Sequence, residues 1–226
     1  MTYVYLWGVC VYVTLWVIFF LVRRDLRKKI FFSSMLAMPL GISEMLFIPD
    51  YWIPRFQTIS ISKELFLESF PFCFFFGGVT SVIYQFFFRK KLFKTREVNP
   101  FISLIAPILF STYFLKIFAM NVIYYACLSM LTSACATLFL LNGIRKDVLS
   151  SAFMNTVVYF IFFLVFWHVF PELPASYQLK NLIGIQILGV PVEEICWAFS
   201  FSLYWTPLYE VWSNYLKSPR SSARKS

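Results

Sequence analysis

Four carboxyl groups stand where carboxyl groups are costly. Of the 11 Asp and Glu residues, Glu44, Glu68, Glu193 and Glu194 fall inside long apolar stretches. The other seven sort to loops or to stretch ends: Asp25, Glu97 and Asp147 beside clustered cations, Asp50, Glu64 and Glu172 in or next to the opposite loops, and Glu210 at the end of the last stretch. A charged side chain at the bilayer centre costs about 2.5–3.5 kcal/mol by insertion scales, so it normally faces a cavity or a partner. A carboxylic acid kept protonated in a dry site can give a proton to a substrate, and a carboxylate can take one back. The densest signal is Gly189-Val190-Pro191-Val192-Glu193-Glu194. Pro191 has no N–H, so a helix starts or kinks there. Adjacent helical residues point about 100° apart, so Glu193 on the bundle axis would leave Glu194 facing a neighbouring helix.

Other chemistries lack their residues. The five cysteines (Cys10, Cys73, Cys127, Cys135, Cys196) all lie in apolar stretches with no CxxC pairing, and read as small apolar side chains rather than metal ligands. Neither GxGxxG nor GxxxxGK[ST] occurs, so no nucleotide cofactor is expected, and the reading needs no cofactor or metal at all. The single histidine, His168, reads as an interfacial polar residue.

The elements that must position these acids are transmembrane helices. The 226 residues are 60% hydrophobic, 22% aromatic and 14% charged, far more apolar than one water-soluble core can absorb. At about 20 apolar residues per crossing, seven spans are expected: 3–22, 30–48, 64–88, 100–118, 121–141, 151–170 and 185–208. The first reads as a span rather than a cleaved leader, with no basic residue before it and no A-x-A-like site after it. In a soluble protein a net charge of +9 would point to nucleic acid. Here the cations sit between spans. Arg23, Arg24, Arg27, Lys28 and Lys29, then Arg89, Lys90, Lys91, Lys94 and Arg96, then Arg145 and Lys146, and the tail Lys217, Arg220, Arg224 and Lys225 fall on one side. Only Arg55, Lys63 and Lys180 lie in the opposite loops, and Lys116 lies near the end of the fourth span. The positive-inside rule then places the N-terminus outside the cell membrane and the C-terminus in the cytoplasm, and no nucleic-acid partner is expected.

The chain also looks duplicated. Arg27–Met35 resembles Arg145–Phe153, Phe47–Phe56 resembles His168–Tyr177, and Leu65–Gly78 can be laid on Val190–Leu203. Spans 1–3 would then repeat as spans 5–7, with span 4 inverting the chain so that both copies run the same way. The expected domains are residues 1–96, a linker span 97–120, residues 121–216 and a basic tail 217–226. The fold class is an all-α polytopic bundle of seven transmembrane helices in a 3+1+3 arrangement of parallel repeats, with the site between the copies. Glu193 aligns with Glu68, and Glu194 with Ser69.

A two-copy bundle with Pro-x-Glu-Glu opening its last helix resembles the membrane-integral lycopene cyclase domain family. The matching residues are Leu188-Gly189-Val190-Pro191-Val192-Glu193-Glu194. The layout agrees over nearly the whole chain, and the sequence itself agrees across helix 7. The first copy departs, reading Phe66-Leu67-Glu68-Ser69 where a second Pro-x-Glu-Glu would stand. The middle helix of the second copy ends in Trp167-His168, with Pro171-Glu172 beyond it, where the family has an Asp and an Asn-Pro. The resemblance implies proton-initiated cyclisation of a linear carotenoid or isoprenoid end group, an isomerisation of the intramolecular-lyase type with no net redox change. It implies Glu193 as proton donor and Glu194 or Glu68 as base or charge partner. Glu44, Pro191, Trp197 and Phe201 would be substrate-binding. Phe199, Phe72 and Phe74–Phe76 are further candidates to line a tunnel whose aromatic faces stabilise cations.

The expected partners are a lipid bilayer and a long apolar isoprenoid substrate, and a homo-oligomer is compatible with the sequence. Two other classes remain open, a small transporter built on the same repeats and a non-catalytic protein of the same fold. A CAAX-type glutamic protease wants an Arg where Ala198 stands, no DDxxD string is present, and no lysine lies between Lys180 and Lys217 to hold a retinal.

Overall fold

The computed structural model describes residues 3–56, 59–90, 98–117 and 120–217. The expected domain boundary at 96/97, the cations Lys91, Lys94 and Arg96, Glu97, and the basic tail beyond Lys217 lie outside the described residues. The chain is an all-α bundle. Its helices are α1 (Val4–Val22), α2 (Arg27–Ala37), α3 (Glu44–Phe47), α4 (Ser69–Phe87), α5 (Ala106–Lys116), α6 (Val122–Leu140), α7 (Arg145–Val169), α8 (Val192–Trp205) and α9 (Leu208–Lys217). A 3-10 stretch, Met38–Ser43, joins α2 to α3, so that Arg24–Phe47 runs as one interrupted rod. Pro39 sits in that stretch and cannot donate to the α-helical ladder.

Among the described residues, five helices are long and apolar enough to cross a membrane: Val4–Val22, Arg24–Phe47, Ser69–Phe87, Val122–Leu140 and Arg145–Val169. The fourth and seventh expected spans are shorter than their apolar stretches. The fourth opens as a π-helical turn, Phe101–Ile105, before α5. Pro107 explains it, because a proline cannot donate to the carbonyl four residues back. The carbonyls so loosened are taken up by hydroxyls of α6, Thr137 Oγ1 donating to Ser103 O (2.8 Å) and Ser133 Oγ to Leu104 O (3.3 Å). Away from water each such group needs a partner inside the protein.

The seventh helix starts at Val192, not near residue 185. The preceding apolar residues form a hairpin, β3 (Gln186–Ile187) pairing with β4 (Val190–Pro191), much as β1 (Ser60–Ser62) pairs with β2 (Leu65–Phe66) ahead of α4. Leu188 and Gly189 link β3 to β4 with φ of 51° and 89°, the two positive values a two-residue hairpin turn needs. Pro191 then caps α8 with φ −57° and ψ 137°. Pro207 separates α8 from α9.

The two halves pack alike. α1 and α2 lie against α4, while α6 and α7 lie against α8. At the end of α1, Arg27 Nε donates to Phe20 O (2.7 Å) and its guanidinium also reaches Leu21 O (3.4 Å). At the end of α6, Arg145 Nε donates to Leu138 O (2.7 Å) and its guanidinium reaches Phe139 O (3.3 Å). Each arginine thus caps the carbonyls of the preceding helix C-terminus at the same spacing. The halves meet where α4 packs on α7 and α8. A buried polar chain crosses that seam, from Thr80 through Asn155 to Ser202, and Trp205 Nε1 donates to Gly77 O (3.0 Å). The cation-bearing helix ends and the hairpins lie at opposite ends of the bundle, called here the basic end and the hairpin end.

Candidate functional site

Two loops at the hairpin end close over the seam. The loop after α3 and the loop after α7 form an antiparallel bridge at Trp52 and Tyr177. Ile53 N–H donates to Ser176 O (2.7 Å), and Gln178 N–H to Tyr51 O (2.9 Å). This pairing holds the rings of Tyr51 and Tyr177 edge-to-face, 5.6 Å apart. Beneath them lies Glu194, the third residue of α8 and 6% exposed. Tyr51 donates to Glu194 Oε1 (2.7 Å), and Tyr159 of α7 donates to Oε2 (2.6 Å). Tyr177 adds a third phenol to the same carboxyl group. Burial and the Glu194 charge push the loop phenols of Tyr51 and Tyr177 well above the usual tyrosine range, which keeps them protonated and donating.

Below this cluster is a cavity of about 250 Å³ between α1, the Met38–Phe47 segment, α4, α7 and α8. Its polar groups are few and converge, as in most small-molecule sites. Glu194 and Tyr159 stand on one wall, with Glu44, Glu68 and Ser69 on the other. Ser69 Oγ donates to Glu44 Oε2. The remaining lining is largely aromatic and includes Phe72, Phe162, Phe163, Trp167 and Trp197. Trp197 is held in a stack with Phe76 and Phe201, the centroids 5.6 and 5.3 Å from its own.

The candidates from the sequence separate into two groups. Glu44, Glu68, Glu194 and Trp197 line the cavity. Glu193, Pro191 and Phe201 do not. Rotation about α8 is the reverse of the sequence reading: Glu194 faces the seam and Glu193 faces α6. Glu193 Oε1 accepts from the Tyr124 phenol (2.8 Å) and from Ile183 N–H (2.9 Å). Glu68, just before α4, has a similar duty, its Oε1 accepting from Ile59 N–H (3.3 Å). Both carboxyl groups therefore pin the loop that leads into their own hairpin. Pro191 is buried as the cap of α8. Phe201 is 5% exposed and packed between Trp197 and Trp205.

Tyr51, Tyr159 and Tyr177 are absent from the sequence reading. Two of them lie within the loop segments 47–56 and 168–177 that align between the halves. A tyrosine in each of two equivalent loops was the available signal.

Comparison with known proteins bears on the half that carries Glu194. Residues 121–212 match the family model described as lycopene cyclase. Over this segment, somewhat less than half of the chain, the sequence is similar to the lycopene cyclase domain. None of the curated proteins and none of the solved structures matches the chain. The lycopene cyclase segment runs from the start of α6 into α9. It contains Glu193, Glu194, Tyr124, Tyr159 and Tyr177. Glu44, Glu68 and Tyr51 come from the other half, so the cavity is completed by residues outside the matched segment.

Proposed function

We propose that the protein is a membrane enzyme that cyclises the end group of a linear carotenoid or related isoprenoid, with Glu194 as its central carboxylate. The observation that carries this reading is one carboxyl group meeting three phenols at the top of an aromatic-walled cavity. The phenol donors on both oxygens orient the carboxyl group toward the cavity. A pre-oriented carboxylate at an aromatic-walled cavity would stabilise a carbocation at little reorganisation cost when that cation forms.

The reaction balances without redox. A proton adds to the terminal alkene and leaves a tertiary cation. A second alkene attacks it, forming one C–C bond and moving the charge into the new ring. Loss of a proton from a neighbouring carbon restores an alkene, and the product is an isomer of the substrate. Glu194 is assigned the second half, as counter-ion and base. Glu44, on the facing wall with Ser69 on its carboxyl group, is assigned the proton donor. Trp197 presents a face to the cation. Glu193 and Glu68 become positioning residues that hold the two hairpins.

We also infer that residues 1–96 and 121–216 are parallel repeats around a linker span, 97–120. The paired capping arginines, the paired hairpins and the paired loop-pinning glutamates support it. The cation distribution supports a cytoplasmic basic end and an outward hairpin end.

Co-expression in cells that accumulate lycopene tests the activity. Cyclised carotenes are expected with the wild-type chain. Unchanged lycopene beside well-expressed, membrane-inserted protein would overturn the cyclase reading.

A further inference from the structure

The cavity is smaller than the molecule it is proposed to act on. About 250 Å³ is below the usual range for ligand sites, about 300–1,000 Å³, and suits an end group rather than a whole long chain. The rest of such a chain must lie elsewhere, and a long hydrocarbon is most stable out of water. An adjoining space among the described residues has that character. A groove of about 520 Å³ runs along the lipid-facing seam between α1 and α7. Its lining carries no charged residue and includes Trp7, Val11, Ile161 and Val165, all four more than 40% exposed on this outer surface.

The groove and the cavity share two side chains, Phe162 and Phe166 of α7. Opposite them on α1 is Gly8, which lines the cavity. A Cβ at Gly8 would lie 3.3 Å from Phe166 Cζ and 3.4 Å from Phe162 Cζ. The far ends of two flexible rings against a glycine therefore form the partition between groove and cavity. Rotamer changes of exposed or half-packed rings are fast compared with turnover.

Resting on the cyclase reading, we propose that the α1–α7 seam is a lateral portal. A linear isoprenoid enters from the bilayer between Gly8 and the Phe162/Phe166 pair. Its end group reaches Glu194 while its body stays in the groove.

Native Cys73 lines the cavity and reports on access without requiring catalysis. The protein, with Cys10, Cys127, Cys135 and Cys196 changed to Ala, is placed in phosphatidylcholine nanodiscs. Labelling of Cys73 by hexadecyl methanethiosulfonate is followed by mass spectrometry. Gly8→Leu is expected to slow labelling by about tenfold or more. Val11→Trp, on an exposed position of the groove that bears little packing, is expected to slow it as well, and Leu128→Trp on the lipid face of α6 to leave it unchanged. Equal labelling of wild type, Gly8→Leu and Val11→Trp overturns the portal. So does labelling by a charged, water-soluble thiosulfonate as fast as by the hexadecyl reagent. Ring formation that persists with unaltered labelling in both variants removes the portal and leaves the cyclase reading. Labelling that depends on Gly8 in a protein forming no rings does the opposite.

Discussion

Glu194 differs from the other three intramembrane glutamates in what surrounds it. Glu193 receives one phenol and a backbone N–H, Glu68 a backbone N–H, and Glu44 a serine hydroxyl. Glu194 receives phenols brought from residues 51, 159 and 177. Hydrogen bonds to a charged group are worth about 1.5–3 kcal/mol each, so Tyr51→Phe and Tyr159→Phe are each expected to lower turnover by about tenfold to a hundredfold. Pigment conversion in isolated membranes, normalised to protein, measures this. Glu193→Gln keeps an acceptor for Tyr124 and Ile183 and should retain ring formation, whereas Glu193→Ala should lower the melting temperature. An inactive, stably folded Glu193→Gln protein would return the donor role to that residue. The loop phenols also carry a pH signature. Their folded-state pKa values lie above the ordinary value of 10.0, so their share of stability is full below that pH and is lost as pH rises past it. Melting temperature is expected to hold between neutral pH and about 9 and to fall above about 10, less steeply in Tyr51→Phe/Tyr177→Phe. The four acids were legible in the sequence because apolar surroundings make them conspicuous. Which of Glu193 and Glu194 faces the seam was not, since one helical step of about 100° is decided by tertiary packing. The phenol cluster was hidden for a related reason: Tyr51 and Glu194 are 143 residues apart.

At the level of elements, α4 is the hub, and two glycines let its neighbours in. A Cβ on Gly77 would collide with Ala37 Cβ, and one on Gly78 with Ser34 Oγ and, at 2.6 Å, Trp16 Nε1. Small residues permit this close approach of helices in membranes. Gly77→Ala and Gly78→Ala are each expected to destabilise by about 1–3 kcal/mol through overpacking, read as the midpoint of thermal unfolding in detergent. At the basic end, Lys29 Nζ of α2 meets Glu210 Oε1 of α9 at 2.8 Å with both side chains buried. Lys29→Met alone leaves a buried acid without its cation and should cost about 3–5 kcal/mol, while Lys29→Met with Glu210→Leu should recover much of that loss. The long helices α1, α6 and α7 follow their apolar runs to within a few residues. α8 does not, because 185–191 is largely apolar yet forms a hairpin turning at Leu188-Gly189, and the helix begins only at Val192 after the Pro191 cap. Pro107 likewise signalled a break in the fourth span that a count of apolar residues passes over.

For the molecule as a whole, the proposed duplication would account for where the cavity lies. Two similar three-helix packings meet at α4, α7 and α8, and each contributes one loop to the lid and one acidic wall. The second half carries the lycopene cyclase match, while the first has Glu68-Ser69 in place of paired glutamates. Under the proposed mechanism the halves divide the work, with the phenol-bound Glu194 in one and the facing Glu44 in the other. Orientation has its own test: a fluorescent protein that matures only in the cytoplasm, fused after Ser226, is expected to glow, and a dark, well-expressed fusion would reverse the topology. The central claim, that a proton starts the cyclisation and that Glu194 completes it, is tested most directly by conversion in deuterium oxide. Membranes holding the wild-type chain are supplied with lycopene, and the product is analysed by mass spectrometry. The expected product carries one deuterium for each ring formed, and Glu194→Gln forms none. Rings without deuterium, or rings made undiminished by Glu194→Gln, would contradict the account.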